Sequence, residues 1–250
     1  MLETLEGGTV ATVVIAFLVA GVVKGALGMG LPTISVAIMG AALGLREAIP
    51  VLMIPSFLAN LWQFTRPGPV MPLFKRFGMM NLAACIGIWL GTILLFRIDT
   101  VIINSLFGSV VILYALLNLT RVEFTLAPGR EPLFGPPVGF FSGLLSGVSG
   151  SLLLPVAVYL QALKLDKDTF VQAVGLSLFI GTVIWAISLY SEGAMTADAW
   201  ILSAIAVPPI LVGMVIGQWL RGRIPEAQFR TAIYIILILL SANLIRKGLL

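Results

Sequence analysis

The sequence contains no histidine and a single cysteine, Cys85, which sits within an apolar run. These absences exclude a His/Cys metal site, a Ser/His/Asp triad and a disulfide framework. Charge is scarce too: 10% of the 250 residues are Asp, Glu, Lys or Arg, against about 25% in an ordinary soluble domain. Hydrophobic residues make up 59% and mean hydropathy is +1.09. Such a chain cannot cover its own surface with polar groups, so a soluble globule is excluded. The net charge of +4 is spread over loops without a basic run, which argues against nucleic acid as a partner. Met1 to Glu6 carries no Lys or Arg. It lacks the basic n-region of a signal peptide and is read as the mature start.

What is present is a series of long apolar runs, at 48–65, 78–96, 101–119, 169–190, 199–220 and 227–246. Each is near the ~20 residues a membrane-spanning helix needs. The expected fold is therefore all-α, a polytopic helical membrane protein surrounded by lipid. Pro50, Pro55, Pro208 and Pro209 lie within these runs and are expected to bend them. Two regions depart from the pattern. Residues 8–45 are interrupted by Gly28, Gly30 and Pro32, and residues 135–163 by Gly143, Gly147 and Gly150. Gly costs ~1 kcal/mol and Pro ~3 kcal/mol in a helix interior. Each region is read as a helical hairpin with a broken, Gly-rich tip, backbone that lipid tolerates only where protein or water surrounds it.

Charge placement supports the hairpins. If both regions turn back, Lys and Arg divide 11 against 4 between the two sides; if both cross once, the division is 7 against 7, with Lys24 left inside the membrane. Cytoplasmic loops carry the basic excess, which favours the hairpins and places both termini outside the cytoplasm.

The two halves look like copies. Gly21-x3-Gly25-x2-Gly28 is aligned with Gly139-x3-Gly143-x2-Ser146 at an offset of 118, which pairs Lys24 with Ser142. Pro32 and Trp62 pair with Pro155 and Trp185 at 123, and Gly87-x3-Gly91-x5-Arg97 with Gly213-x3-Gly217-x5-Arg223 at 126. The domain reading is a first repeat over 1–120, a linker over 121–134 and a second repeat over 135–250. Each repeat holds one hairpin and three spans, an odd number of segments, so the second is inverted. Inverted repeats with broken helices are the build of secondary transporters.

A short helix is expected after each break, beginning near Thr33 and Ser35 and near Ser149 and Ser151. Helix N-termini expose unpaired N–H groups and partial positive charge, which suits an anion. Gly28 and Gly30 would let it approach the backbone, and Thr33, Ser35, Ser146, Ser149 and Ser151 would donate hydroxyl hydrogens. The alternative is that these small residues only permit close helix packing. Lys24 either pairs with the anion or snorkels from the hairpin tip. Gln172 and Ser177 either face the second break as ligands or, for the amide, bond across helices. Trp62 and Trp185, as repeat partners, read as structural. No Asp or Glu lies deep in a run, so no coupling carboxylate is visible. An inside-negative potential drives an anion outward unaided, at ~2.3 kcal/mol per charge per 100 mV.

The segments Gly21-Val-Val-Lys-Gly-Ala-Leu-Gly-Met-Gly-Leu-Pro32, Gly139-Phe-Phe-Ser-Gly-Leu-Leu-Ser-Gly147, Tyr159-Leu-Gln-Ala-Leu163 and Val171-Gln-Ala-Val-Gly-Leu-Ser177 resemble the sulfite exporter TauE/SafE family of the toluene-sulfonate uptake permease group. The resemblance covers nearly the whole chain. It implies an inner-membrane transporter of sulfite, sulfonates or related sulfur anions, with no bound cofactor. Many members carry a Gly-Gly-Gly cluster where this chain has Gly28-Met-Gly30. The competing functions are an anion channel and a non-transporting scaffold or assembly protein. An enzyme is not expected.

Overall fold

The structure, a computed structural model, describes residues 6–27, 30–65, 68–120, 125–127, 129–149, 153–221, 223, 231, 235, 237–243 and 245–246. Eleven α-helices are assigned along it: α1 (Gly7–Leu27), α2 (Leu31–Leu43), α3 (Leu45–Ala48), α4 (Met53–Thr65), α5 (Met71–Arg97), α6 (Thr100–Thr120), α7 (Glu131–Ser149), α8 (Leu153–Ala162), α9 (Lys167–Ser191), α10 (Ala197–Ile205) and α11 (Val207–Arg221). Residues 237–243 are also helical, and no strand occurs among the described residues. Five stretches are long and apolar enough to cross a membrane: Gly7–Ala26, Leu45–Thr65, Met71–Arg97, Asp168–Ser191 and Ala197–Leu220. The protein is a polytopic helical membrane protein. Nine of the twenty residues of the expected span 227–246 lie outside the described residues.

Pro50, Pro208 and Pro209 fall at interruptions of the spans, whereas Pro55 lies in the first turn of the unbroken α4. Pro50 opens a 3₁₀ turn, Pro50–Leu52, between α3 and α4. The chain breaks again at Ala206, so that Pro208 and Pro209 fall in the first turn of α11. A proline there loses no hydrogen bond, because first-turn N–H groups have no partner within the helix. The same logic starts α7 at Glu131, ahead of the expected hairpin boundary at 135. Pro132 occupies its first turn and Glu131 favours the positive end of the helix.

The chain divides into two compact units. Unit 1 holds Met1–Pro55, Ile98–Arg121 and Gly193–Leu250; unit 2 holds Ser56–Arg97 and Val122–Glu192. Each unit draws on both halves of the sequence. In unit 1, α1 packs along α11; in unit 2, α7 packs along α5. Both seams are made by glycine. A Cβ on Gly25 would stand 2.9 Å from the Cα of Met214, and one on Gly143 2.9 Å from the Cα of Ala84. Only hydrogen fits between these backbones. Without a hydrophobic drive between helices in lipid, such close packing is what holds them together. The faces turned away from the seams are apolar and exposed: Leu82, Ile86 and Leu90 on α5, Leu211, Val215 and Trp219 on α11.

The two seams match residue for residue, in a register that differs from the sequence alignment. Gly213 faces Leu18, Gly21 and Val22, while Gly87 faces Phe140, Gly143 and Leu144. Gly25 is met by Met214, while Gly147 is met by Ile88. Each α7 residue lies 122 positions after its α1 counterpart, and each α11 residue 126 after its α5 counterpart. The expected offset of 118 for the first hairpin arm is thus one helical turn short. At 122, all three glycines of Gly21-x3-Gly25-x2-Gly28 match Gly143-x3-Gly147-x2-Gly150, and the counterpart of Lys24 is Ser146 rather than Ser142.

Candidate functional site: the two helix breaks

In unit 1, α1 ends at Leu27 and α2 begins at Leu31 with Gly30 as its N-cap. Gly30 has φ 95°, the left-handed region that favours glycine. Gly28 lies outside the described residues. The first turn of α2 carries no side-chain cap, and Leu31, Thr33 and Ser35 around it are buried. Lys24, one turn before the break, is 8% exposed. Ser35 Oγ donates to Leu31 O at 2.7 Å, so its proton is spent on its own helix and its oxygen is left as an acceptor.

In unit 2, the break lies between Ser149, the last residue of α7, and Leu153, the first of α8. The chain turns back there. Tyr159 Oη donates to Glu131 O at 3.1 Å, which brings the far part of α8 to the start of α7. Leu126 N donates to Ala162 O at 3.0 Å beside it. A single crossing over 135–163 does not fit this geometry. Ser151, with Gly150 and Leu152, lies outside the described residues. Ser149 closes α7 rather than opening α8, and its Oγ donates to Leu145 O at 2.6 Å. It therefore does not stand at the positive end of a helix, as the sequence suggested. Ser142 and Ser146 are buried on α7.

The start of α7 is clamped to α5. Arg76 Nε donates to Glu131 Oε2 at 2.8 Å, and the second arm of the guanidinium reaches Oε1 at 2.6 Å. This bidentate hydrogen bond holds the Glu131 carboxyl below the usual carboxylate range. At the start of α9, Asp166 is the N-cap and accepts from Thr169 N at 3.0 Å; hydrogen bonding from the Thr169 side chain, and then from its backbone N–H, lowers the Asp166 carboxyl.

Helices α4 and α9 share a polar seam inside unit 2. Gln172 Nε2 donates to Phe64 O at 3.1 Å and to Gly68 O at 2.7 Å. Both amide hydrogens thus serve the C-terminal end of α4, so Gln172 acts here as a helix-to-helix amide. Gln63 Nε2 reaches Val171 O at 3.3 Å, and Asn60 Nδ2 donates to Thr182 Oγ1 at 3.1 Å. Ser177 Oγ is different: it is buried and has no hydrogen-bond partner.

The family model for the sulfite exporter TauE/SafE matches residues 13–244. The chain belongs to this family. No curated protein and no solved structure matches it. In this TauE/SafE protein the match takes in both breaks and every candidate site residue. Among the described residues, no group of three or more His, Cys, Asp or Glu side chains gathers that could hold a metal ion. The buried polar side chains among them include one charge, Lys24, and no carboxylate.

Sequence reasoning missed four buried groups among the described residues: Asn81 Nδ2 on α5, Ser56 Oγ on α4, Asn104 Oδ1 on α6 and Ser241 Oγ are buried without a hydrogen-bond partner, as is Nε1 of Trp185, which reads from the sequence as structural. Asn81 was hidden because a lone amide in an apolar run resembles Asn60, whose amide is paired. Trp62 and Trp185, repeat partners by sequence, differ in place: Trp62 is 56% exposed and Trp185 is 4% exposed.

Proposed function

We propose that this TauE/SafE protein is a secondary transporter of a small sulfur-containing anion, sulfite or a sulfonate, working in the export direction across the cell inner membrane. What carries the proposal is the family match over residues 13–244. Three features fit it. Lys24 is buried beside the first break, the α2 N-terminus is left without a side-chain cap, and no carboxylate is buried among the described residues. A cationic group and a helix N-terminus attract an anion and disfavour a metal cation. Within unit 1, Lys24, Gly30 and Thr33 would meet the substrate; within unit 2, Ser146 and Ser177 are the candidate contacts. Ser35, Ser149 and Gln172 support the helices instead, because their donated hydrogens are already used. An outward anion needs no coupling carboxylate, since the membrane potential assists it. Both termini would face away from the cytoplasm, in line with the 11-to-4 division of Lys and Arg. The two halves would act as inverted repeats, 1–120 and 135–250, joined by the linker 121–134.

The test is uptake of radiolabelled sulfite and of a small sulfonate into liposomes holding the purified protein, with and without an imposed potential, beside Lys24→Met. Saturable uptake that weakens in the variant supports the proposal. Absence of uptake for both anions would overturn it.

A further inference from the structure

Most polar groups buried in the helices of unit 2 are accounted for. Thr92 Oγ1 bonds back to Ile88 O, Thr182 Oγ1 to Leu178 O and Ser149 Oγ to Leu145 O. Asn60 and Gln172 bond across α4 and α9. Among the described residues of unit 2, four buried side-chain atoms are left without a partner: Ser56 Oγ, Asn81 Nδ2, Ser177 Oγ and Trp185 Nε1. All four are able to donate a hydrogen bond. Buried polar groups in native proteins are satisfied by protein or ordered water, and an exception calls for an explanation.

Asn81 and Ser177 belong together by placement. Asn81 is 4% exposed on α5, Ser177 is 3% exposed on α9, and these two helices pack on each other. The helices leave the same end of unit 2. Gln172, in the second turn of α9, is bonded to Gly68, three residues before α5 begins. Asn81 lies ten residues past Met71, and Ser177 ten past Lys167. At 1.5 Å per residue, each is about 15 Å along its helix, so the two lie at a similar level. Asn81 sits on the stripe Phe77, Asn81, Ala84, Ile88, which faces the interior of the protein, while Leu82, Ile86 and Leu90 face outward. No carboxylate is buried among the described residues to attract a cation there.

We propose that Asn81 and Ser177 form a binding site for the transported oxyanion inside unit 2, each donating one hydrogen bond to it. The inference rests on the transporter reading above and deepens it, by adding Asn81 as a donor beside Ser177. An oxyanion held there would accept from both donors, which are otherwise buried without a partner at a free-energy cost.

The test measures binding of radiolabelled sulfite to the purified full-length protein, together with its melting temperature without sulfite. Asn81→Leu and Ser177→Ala each raise the apparent Kd at least tenfold. Neither lowers the sulfite-free melting temperature, because each removes an unsatisfied donor. Asn81→Asp keeps the shape, sets a carboxylate against the anion and abolishes binding. Sulfite affinities within twofold of the wild type in these variants would overturn the proposal, leaving the donors to ordered water and the transport reading intact. A wild-type protein that neither binds nor transports sulfite or a sulfonate would overturn the transport reading, and this site with it.

Discussion

Replacing Gly87 by alanine tests the glycine seam between α5 and α7. A Cβ at Gly87 would stand 2.7 Å from Leu144 N and 3.1 Å from the carbonyl carbon of Gly143. Phe140 O would lie closer still, and ordinary contact begins near 3.4 Å, so the helices must part by at least about 0.7 Å at that level. Backbone lies on the opposing side, so no rotamer change relieves the clash. A gap of ~0.5–1 Å forfeits a quarter to a half of each dispersion well along the seam, and overpacking typically costs ~1–3 kcal/mol. Alanine recovers ~1 kcal/mol of helix propensity. The net is a destabilisation of up to about 2 kcal/mol, or up to roughly 8 °C in melting temperature for a chain of this size. Gly78 lies on the same helix with nothing within 4 Å of its added Cβ. Gly78→Ala keeps only the propensity gain and is expected to hold or raise the melting temperature by up to about 4 °C. Thermal unfolding of both purified variants in one detergent measures the contrast. Equal melting temperatures for Gly87→Ala and Gly78→Ala would refute the reasoning.

Further outcomes follow from other parts of the structure. Gly30→Leu leaves expression intact but abolishes sulfite uptake; φ 95° disfavours any side chain there, and uptake at the wild-type rate would count against the first break as part of the site. Tyr159→Phe removes the hydroxyl that ties α8 to Glu131 and lowers stability by about 1 kcal/mol, read by thermal unfolding. Glu131, lowered by Arg76, contributes its pairing fully above its ordinary value of about 4.5 and loses it as pH falls through the lower folded value. The melting-temperature difference between wild type and Glu131→Gln therefore shrinks below pH 4.5. It stays small throughout, because the pair is partly exposed. Reporter fusions at residues 125 and 195 read opposite sides of the membrane, the first cytoplasmic; the same side for both contradicts the hairpin topology.

The helices and their interruptions were legible because length, apolarity and proline act locally. Run length placed α5 and α9, and Pro208 and Pro209 marked the break at Ala206. The glycines were legible as a pattern but not in register. The match of Gly28 to Ser146 was accepted although Gly150 lies one turn further on, and only the facing α5 backbone shows which glycine bears on which helix. Of the candidate site, Lys24 and Gly30 were visible as a lone charge and a break. What Ser35, Ser149 and Gln172 do was not visible. A hydroxyl that bonds its own preceding turn, and an amide that caps a neighbouring helix, have the same letters as free donors. Asn81 shows the converse: its isolation arises from what α7 and α9 fail to offer it, which no local pattern encodes.

Counterflow tests the transport of a sulfur anion most directly. Liposomes holding the purified protein are loaded with unlabelled sulfite and diluted into a trace of labelled sulfite. A carrier gives a transient accumulation of label that saturates and that a small sulfonate suppresses. Label that enters without accumulation or saturation would point to a channel, and no protein-dependent entry of either anion would contradict sulfur-anion transport altogether.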